Sequence, residues 1–415
     1  MTVGTADTGP RGIGALPRER SQEDGMSVSV EQPFLPFHRP TIDQEEIDAV
    51  VDTLRSGWLT MGPKTKAFEE AFAAAVDAPR AVAVSSATAG LHLGLDALGV
   101  GPGDDVLVPT LTFASTAATV IHTGARPLLV DCEPDTLNIC PADAARKWTA
   151  QTKAIVPVHF AGHPCDMDPI LALAREHGAA VMEDAAHALP ARYRGRLIGS
   201  LGDLTVFSFY ATKNLTTGEG GMVTASDASL EERLRTRRLH GMTRDAWKRY
   251  TKDGNWRYDV AYPGFKYNMT DMNAAIGLVQ LRRLPTMQAA RHRIVAQYRD
   301  ALDDVDAVEL PACRSDVEHA WHLFILRVRP EQLRIGRDQF IQELTEAGIG
   351  TSVHFIPLHE HSYYRDVLGI SAADLPTATA QWQRIISLPL FPGMTPGDVD
   401  RVADTVRGIV RRHRR

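Results

Sequence analysis

Residues 207–223 read FSFYATKNLTTGEGGMV. Phe207, Phe209 and Tyr210 suit a buried strand, and Met222 and Val223 return to that character. Between them stand one lysine, Lys213, and a loop with three glycines, Gly218, Gly220 and Gly221. A cation close to the end of a buried strand is costly unless something uses it, because lysine is almost never fully buried without a reason. Desolvation lowers the pKa of such an amine and frees it as a nucleophile, which is what Schiff-base formation with a carbonyl ligand requires.

Outward from this stretch, short apolar runs alternate with amphipathic segments. The runs are RAVAVSS (80–86), DVLVP (105–109), RPLLVD (126–131), KAIVPVHF (153–160), AAVMED (179–184), LTVFSF (204–209) and GMVTA (221–225). Continuous apolar strands separated by helices predict an α/β fold, a mostly parallel sheet covered on both faces. Ahead of the first strand, Thr41 or Asp43 can cap a helix that carries Ile47, Val50, Val51 and Leu54 and ends at Gly57. A second helix is expected over 64–76. The expected organisation is a disordered leader over 1–32, a large α/β domain over 33–285 and a smaller C-terminal α+β domain over 286–415. The last of these contains the strand-like HLFILRV (322–328) and helices near 337–347 and 397–412.

The chain has 415 residues, of which 44% are hydrophobic and 23% charged, with a formal net charge of -6. That is ample for a large core, and the acidic balance argues against a general nucleic-acid or anionic-membrane binder. No apolar run approaches the roughly 18–20 residues of a membrane span. The four cysteines, Cys132, Cys140, Cys165 and Cys313, form no C-x-x-C pair and read as reduced thiols of a cytoplasmic protein.

In open α/β sheets ligands collect beyond the carboxyl ends of the strands, and several polar residues fall there. Asp184 ends AAVMED, Ser208 lies near the end of LTVFSF, and the small residues of SSATAG (85–90) join a strand to a helix. Backbone N–H groups at that helix start suit a phosphate. A carboxylate suits a protonated ring nitrogen, and the lysine suits an aldehyde. A phosphate, a pyridinium nitrogen and an aldehyde together describe pyridoxal 5′-phosphate. Each part has a plainer reading: an acid at a strand end is more often a cap, glycines serve tight turns, and Phe113 is by default a core aromatic. Lys213 is the hardest to dismiss. His159 and His163, spaced i, i+4, straddle Ala161 and Gly162 and do not suit one helix face. His354, His359 and His361 lack a thiolate or carboxylate placed by spacing.

VAVSSATAGLHLGLDALGVGPGDDVLVPTLTFAST, MEDAAHA, FSFYATKNLTTGEGGMV and PGFKYNMTDMNAAIGLVQLRRL together resemble the DegT/DnrJ/EryC1/StrS aminotransferases, pyridoxal-phosphate enzymes of fold type I that act mostly on nucleotide-linked keto sugars. The resemblance runs from about residue 36 to 396. It implies that Lys213 forms the Schiff base with the cofactor and carries the proton during amino transfer. It further implies that Thr88, Ala89 and Ser208 hold the cofactor phosphate and that Phe113 stacks on the pyridine ring. Asp184 would hold the ring nitrogen protonated, and His187 would lie near the ring hydroxyl. Asn268 is implied to reach the phosphate of a neighbouring subunit, so that a homodimer shares its two sites, with the aromatic stretch 247–260 covering the partner's site. His354 borders the expected sugar site. L-glutamate is the expected amino donor. The acceptor is expected to be a dTDP- or UDP-linked 4-keto-6-deoxy sugar aminated at C4, with a C3-keto sugar, a keto-cyclitol or a non-catalytic regulatory relative as alternatives.

Overall fold

A computed structural model describes residues 33–242 and 258–415. The expected leader, 1–32, and most of the aromatic stretch 247–260 lie outside the described residues. The chain forms β1 (Ala81–Val84), β2 (Asp105–Pro109), β3 (Arg126–Val130), β4 (Thr152–Ile155), β5 (Ala180–Asp184), β6 (Arg192–Tyr193), β7 (Arg196–Leu197), β8 (Leu204–Ser208) and β9 (Gly221–Ala225). Four more follow: β10 (Val308–Glu309), β11 (Val317–Glu318), β12 (Phe324–Val328) and β13 (Ile385–Leu388).

Seven strands make the central sheet in the order β1-β9-β8-β5-β4-β2-β3. β8, β5, β4, β2 and β3 pair in parallel, and β9 runs antiparallel to both of its neighbours. Every position of β1, β2 and β9 is buried, which is why these segments read as unbroken apolar runs rather than alternating ones. β1 and β8 both run against β9, so their carboxyl ends lie on the same edge as those of β5, β4 and β2. That edge carries the site.

β8 holds its register through its side chains. Phe207 and Phe209 project to one face, where they meet Phe72 at ring-centroid distances of 5.0 and 5.4 Å. Ser208 projects to the other. Tyr210 departs from the expected buried strand: it is 48% exposed, because the strand ends at Ser208 and the chain turns back, with the Lys213 N–H donating to the Tyr210 carbonyl at 2.9 Å. The run 153–160 likewise gives only the short β4, and its pairing with β5 returns at a single bridge between Val158 and Asp184.

The first helix, Gln44–Ser56, has the expected limits, with Asp43 in a capping box and Gly57 left-handed at φ 73°. A helix over Asp271–Leu302 passes through residue 285, with Pro285 inside it. Its C-terminal half carries Ile294, Val295, Tyr298 and Leu302 into a second apolar cluster, with Phe324, Leu326, Val402 and Val406. There β12 lies between β10 and β13 in an antiparallel sheet. At the basic end of the helix Pro396–His413, Arg412 reaches Glu343 at 2.7 Å and Arg414 reaches Asp306 at 2.6 Å.

Candidate active site

Beyond the carboxyl ends of β1, β2, β5 and β8 lies a cavity of about 570 Å³. Thr88, Phe113, Asp184, His187, Ser208, Lys213 and His354 all line it. Seven of the residues expected from sequence, drawn from positions 88 to 354, thus meet around one space. Ala89 and Asn268 do not line it.

Asp184 is the last residue of β5 and is buried. Its Oδ1 accepts the Ala186 N–H at 3.1 Å, and its Oδ2 accepts the Thr116 hydroxyl at 2.9 Å. With its own proton donated to Asp184, Thr116 can only accept from Thr112, whose hydroxyl is 2.9 Å away. Burial raises the Asp184 pKa, while the Ala186 and Thr116 bonds and the Lys213 charge oppose that rise. Each carboxylate oxygen keeps a further lone pair, so the group can still accept a hydrogen bond from a protonated ring nitrogen.

Lys213 sits in the turn after β8, and burial is the main influence on its amine, lowering its pKa from 10.5 to about 8, with Asp184 acting in the opposite sense. The side chain is only partly covered because it lines the open cavity. About a tenth of the amine is therefore unprotonated at pH 7, against well under about a thousandth at the ordinary lysine value, which enlarges the nucleophilic fraction.

The helix Ala87–Ala97 starts at the cavity wall, and its cap, Ser86, accepts the Ala89 N–H at 3.0 Å. That bond commits the Ala89 donor to the cap. The N–H groups of Ala87 and Thr88 precede the intrahelical ladder and face no such competition, and they lie with Ser208 on the lining of the cavity, an arrangement suited to an anion. The glycines of the loop answer to this geometry. A Cβ on Gly221 would lie 2.8 Å from both the Ala87 nitrogen and the Ser86 carbonyl carbon, and Gly218 adopts φ +79°. Backbone donors for a phosphate, a buried carboxylate for a ring nitrogen and an activated lysine for an aldehyde fit pyridoxal phosphate.

Four histidines complete the lining: His38, His187, His322 and His354. Burial lowers all four pKa values, with the Lys213 charge contributing in each case; His38 and His354 fall to about 4, and His187 and His322 well below 6.5. They are neutral hydrogen-bonding groups at physiological pH. His354 is tied to Ser387 at 2.7 Å, whereas His359 bonds Thr110 and Thr379, so the 354–361 histidines serve different places. His159 pairs with buried Glu183 at 2.9 Å beneath Asp184. His38, Thr112, Thr116 and His322 were not distinguished by sequence reasoning. Thr112 and Thr116 lie beside Phe113 at a strand-to-helix turn, a position that could have marked them. His38 and His322 sit in otherwise unremarkable apolar stretches and carried no signal.

Residues 40–407 match the DegT/DnrJ/EryC1/StrS aminotransferase family. The chain is 51% identical, over 91% of its length and 97% of the relative's, to the spore coat polysaccharide biosynthesis protein SpsC of Bacillus subtilis. It superimposes with a TM-score of 0.85 and 36% identity on the PLP-form of Spr1654, a sugar aminotransferase assignment from Streptococcus pneumoniae, covering 91% of this chain and 99% of that one. It superimposes with a TM-score of 0.82 and 34% identity on S. venezuelae DesV in complex with a ketimine intermediate, covering 91% and 99%. Lysine, carboxylate and helix start open on one cavity, and the chain belongs to the DegT/DnrJ/EryC1/StrS aminotransferase family as a pyridoxal-phosphate-dependent sugar aminotransferase.

Proposed function

We propose that the enzyme carries the amino group of L-glutamate to a keto carbon of a nucleotide-linked keto-deoxysugar, with C4 of a dTDP- or UDP-linked 4-keto-6-deoxy sugar as the leading acceptor. The observation that carries this reading is the convergence of Lys213 and Asp184 on one cavity that is also lined by neutral polar groups suited to sugar hydroxyls. The similarity to a polysaccharide-biosynthesis protein and to sugar aminotransferases supports the acceptor class.

Pyridoxal phosphate, when bound, supplies the electron sink for amino transfer. Lys213 is the nucleophile that holds the cofactor and the base that moves a proton at the reacting carbon. Asp184 keeps the ring nitrogen protonated, and the Thr112–Thr116 hydroxyl chain fixes which lone pairs it offers. Thr88, Ser208 and the first N–H groups of the Ala87–Ala97 helix take the phosphate, with Ala89 contributing through its bond to the Ser86 cap. Phe113, 61% exposed at the cavity mouth, stacks on the ring. His187 presents its Nε2–H toward the ring oxygen, and His354 contacts the sugar.

Asn268 bridges to Val84 beside the start of the phosphate-binding turn, and in its own subunit it stays outside the cavity. We take it to serve the neighbour's phosphate in a cytoplasmic homodimer. Residues 33–285 are read as the cofactor-holding domain and 286–415 as the smaller one. The test is a panel of nucleotide-linked keto sugars incubated with enzyme, cofactor and glutamate, with the position of the new amine read by NMR. Amination at C4 is expected; amination confined to C3 or to a cyclitol would displace the C4 assignment.

A further inference from the structure

The residue after the reactive lysine is a buried asparagine, Asn214, which does not line the cavity. Its Nδ2 donates to the Leu189 carbonyl at 2.9 Å and to the Ala320 carbonyl at 2.8 Å. Two carbonyls can be met only by the NH₂ end, so the amide has one orientation and its Oδ1 is an acceptor. That oxygen accepts a hydrogen bond from His322 Nδ1 at 3.2 Å. Of the side chains from 210 to 215, that of Asn214 alone hydrogen-bonds to another segment among the described residues.

These bonds close a ring. Leu189 belongs to the turn that follows Asp184 and carries His187, whose Nδ1 accepts the Ala161 N–H at 3.2 Å. The Ala161 carbonyl accepts the His322 N–H at 3.0 Å, and the Gly162 carbonyl accepts the Ala320 N–H at 2.9 Å. Ala320 and His322 in turn bond Asn214. The crossing of these segments is tight: a Cβ on Gly162 would lie 2.8 Å from the His187 carbonyl oxygen and 3.1 Å from the His322 nitrogen. Without the Asn214 amide, Ala161 and Gly162 still join the 185–189 turn to the 320–322 segment. What is lost is the tie between that assembly and the turn that carries the lysine.

We infer that Asn214 is a positioning residue for Lys213: its three hydrogen bonds fix the turn that carries the lysine against the turn after Asp184 and against the 320–322 segment, and so set where the amine stands relative to Asp184. It acts through the backbone of its neighbour. Burial is the main cause that lowers the pKa of the Lys213 amine, so that pKa reads how firmly the turn holds the amine in its place. Asp184, Glu219 and the four neutral histidines line the cavity with the amine, and a change at position 214 removes none of them. The purpose of the positioning rests on the aminotransferase reading above; the ring of hydrogen bonds does not.

The wild-type apoenzyme gives the first test. Labelled with ¹⁵N-histidine, its His322 signal, assigned by its loss in His322→Gln, should report a proton on Nδ1. A proton on Nε2 would mean that the Asn214 amide is not oriented to close the ring, and would overturn the inference without any variant at 214. Asn214→Leu keeps the branched shape and removes all three bonds. In its apoenzyme the pH midpoint of Lys213 labelling, read with an amine-selective reagent and peptide mass spectrometry, should rise from about 8 by about one unit toward the ordinary lysine value. Loaded with cofactor, the variant should convert glutamate about tenfold or more slowly in a single turnover. An unchanged midpoint, or an unchanged rate at full cofactor occupancy, in a variant with a lowered melting temperature would make Asn214 a folding residue only and overturn the inference. If Asn214→Leu does not fold, Asn214→Ser, which keeps a donor and an acceptor on a shorter arm, gives the same two readings, and the wild-type tautomer stands apart from both. If wild-type enzyme is not converted by glutamate, the donor assignment fails, while the tautomer and the labelling midpoint still decide the role of Asn214.

Discussion

Asp184→Asn preserves shape and removes one charge at the floor of the cavity. The wild-type carboxylate accepts from Ala186 and Thr116 and still offers lone pairs to a protonated ring nitrogen. Asparagine can keep the Ala186 bond through its carbonyl oxygen, but its NH₂ then faces Thr116. Thr116 must turn from donor to acceptor, and one hydroxyl hydrogen of the Thr112–Thr116 pair loses its partner, which costs folding about 1–3 kcal/mol. The larger effect falls on the reaction. Removing one member of a buried charge pair costs roughly 3–5 kcal/mol, and at about 1.36 kcal/mol per decade that is a slowing of about 10²–10⁴. The assay is stopped-flow absorbance of the loaded enzyme mixed with glutamate in a single turnover, with chemical denaturation run alongside to measure the folding loss. A half-reaction within about threefold of wild type, at full cofactor occupancy, would show that Asp184 is only structural.

Gly221→Ala places a methyl against backbone atoms of Ser86, Ala87 and Phe207, none of which can rotate away. It should destabilise the fold by about 1–3 kcal/mol and weaken cofactor binding, measured by thermal melting and by equilibrium dialysis. The amine of Lys213 in the apoenzyme should be protonated below and free above a pKa of about 8. Its reactivity toward an amine-selective reagent, read by peptide mass spectrometry, should therefore rise through pH 8, two units or more before the surface lysines. Mixing inactive Lys213→Ala with inactive Asn268→Asp under subunit exchange should restore activity toward about a quarter of wild type. Random pairing makes roughly half the dimers mixed, each with one intact site of two; exchange without recovery would place both residues in the same site.

The central sheet was legible because its strands are buried on both faces and therefore read as unbroken apolar runs, and β9 matches its predicted span residue for residue. Two-residue strands such as β6, β7 and β10 were not, since so short a pairing has no periodicity of its own. The helix through residue 285 was obscured by Pro285, which usually marks a boundary and is here accommodated inside the helix. In the site, residues at strand ends could be found because topology brings those ends to one edge. Lys213 and Asp184 were visible for that reason. His322 was hidden because its hydrogen-bond partner, the Asn214 amide, lies more than a hundred residues earlier in the chain. The position of Ala89 depended on which N–H the Ser86 cap takes, and a sequence does not specify that.

Lys213 is proposed as the covalent anchor and proton carrier. Reduction of the loaded enzyme with borohydride, followed by proteolysis and mass spectrometry, should place the cofactor label on Lys213, and Lys213→Ala should fold, show no label there and carry out no amino transfer. A label on any other lysine of the wild-type chain, or transamination by Lys213→Ala at a rate near wild type, would show that another residue holds the cofactor and moves the proton.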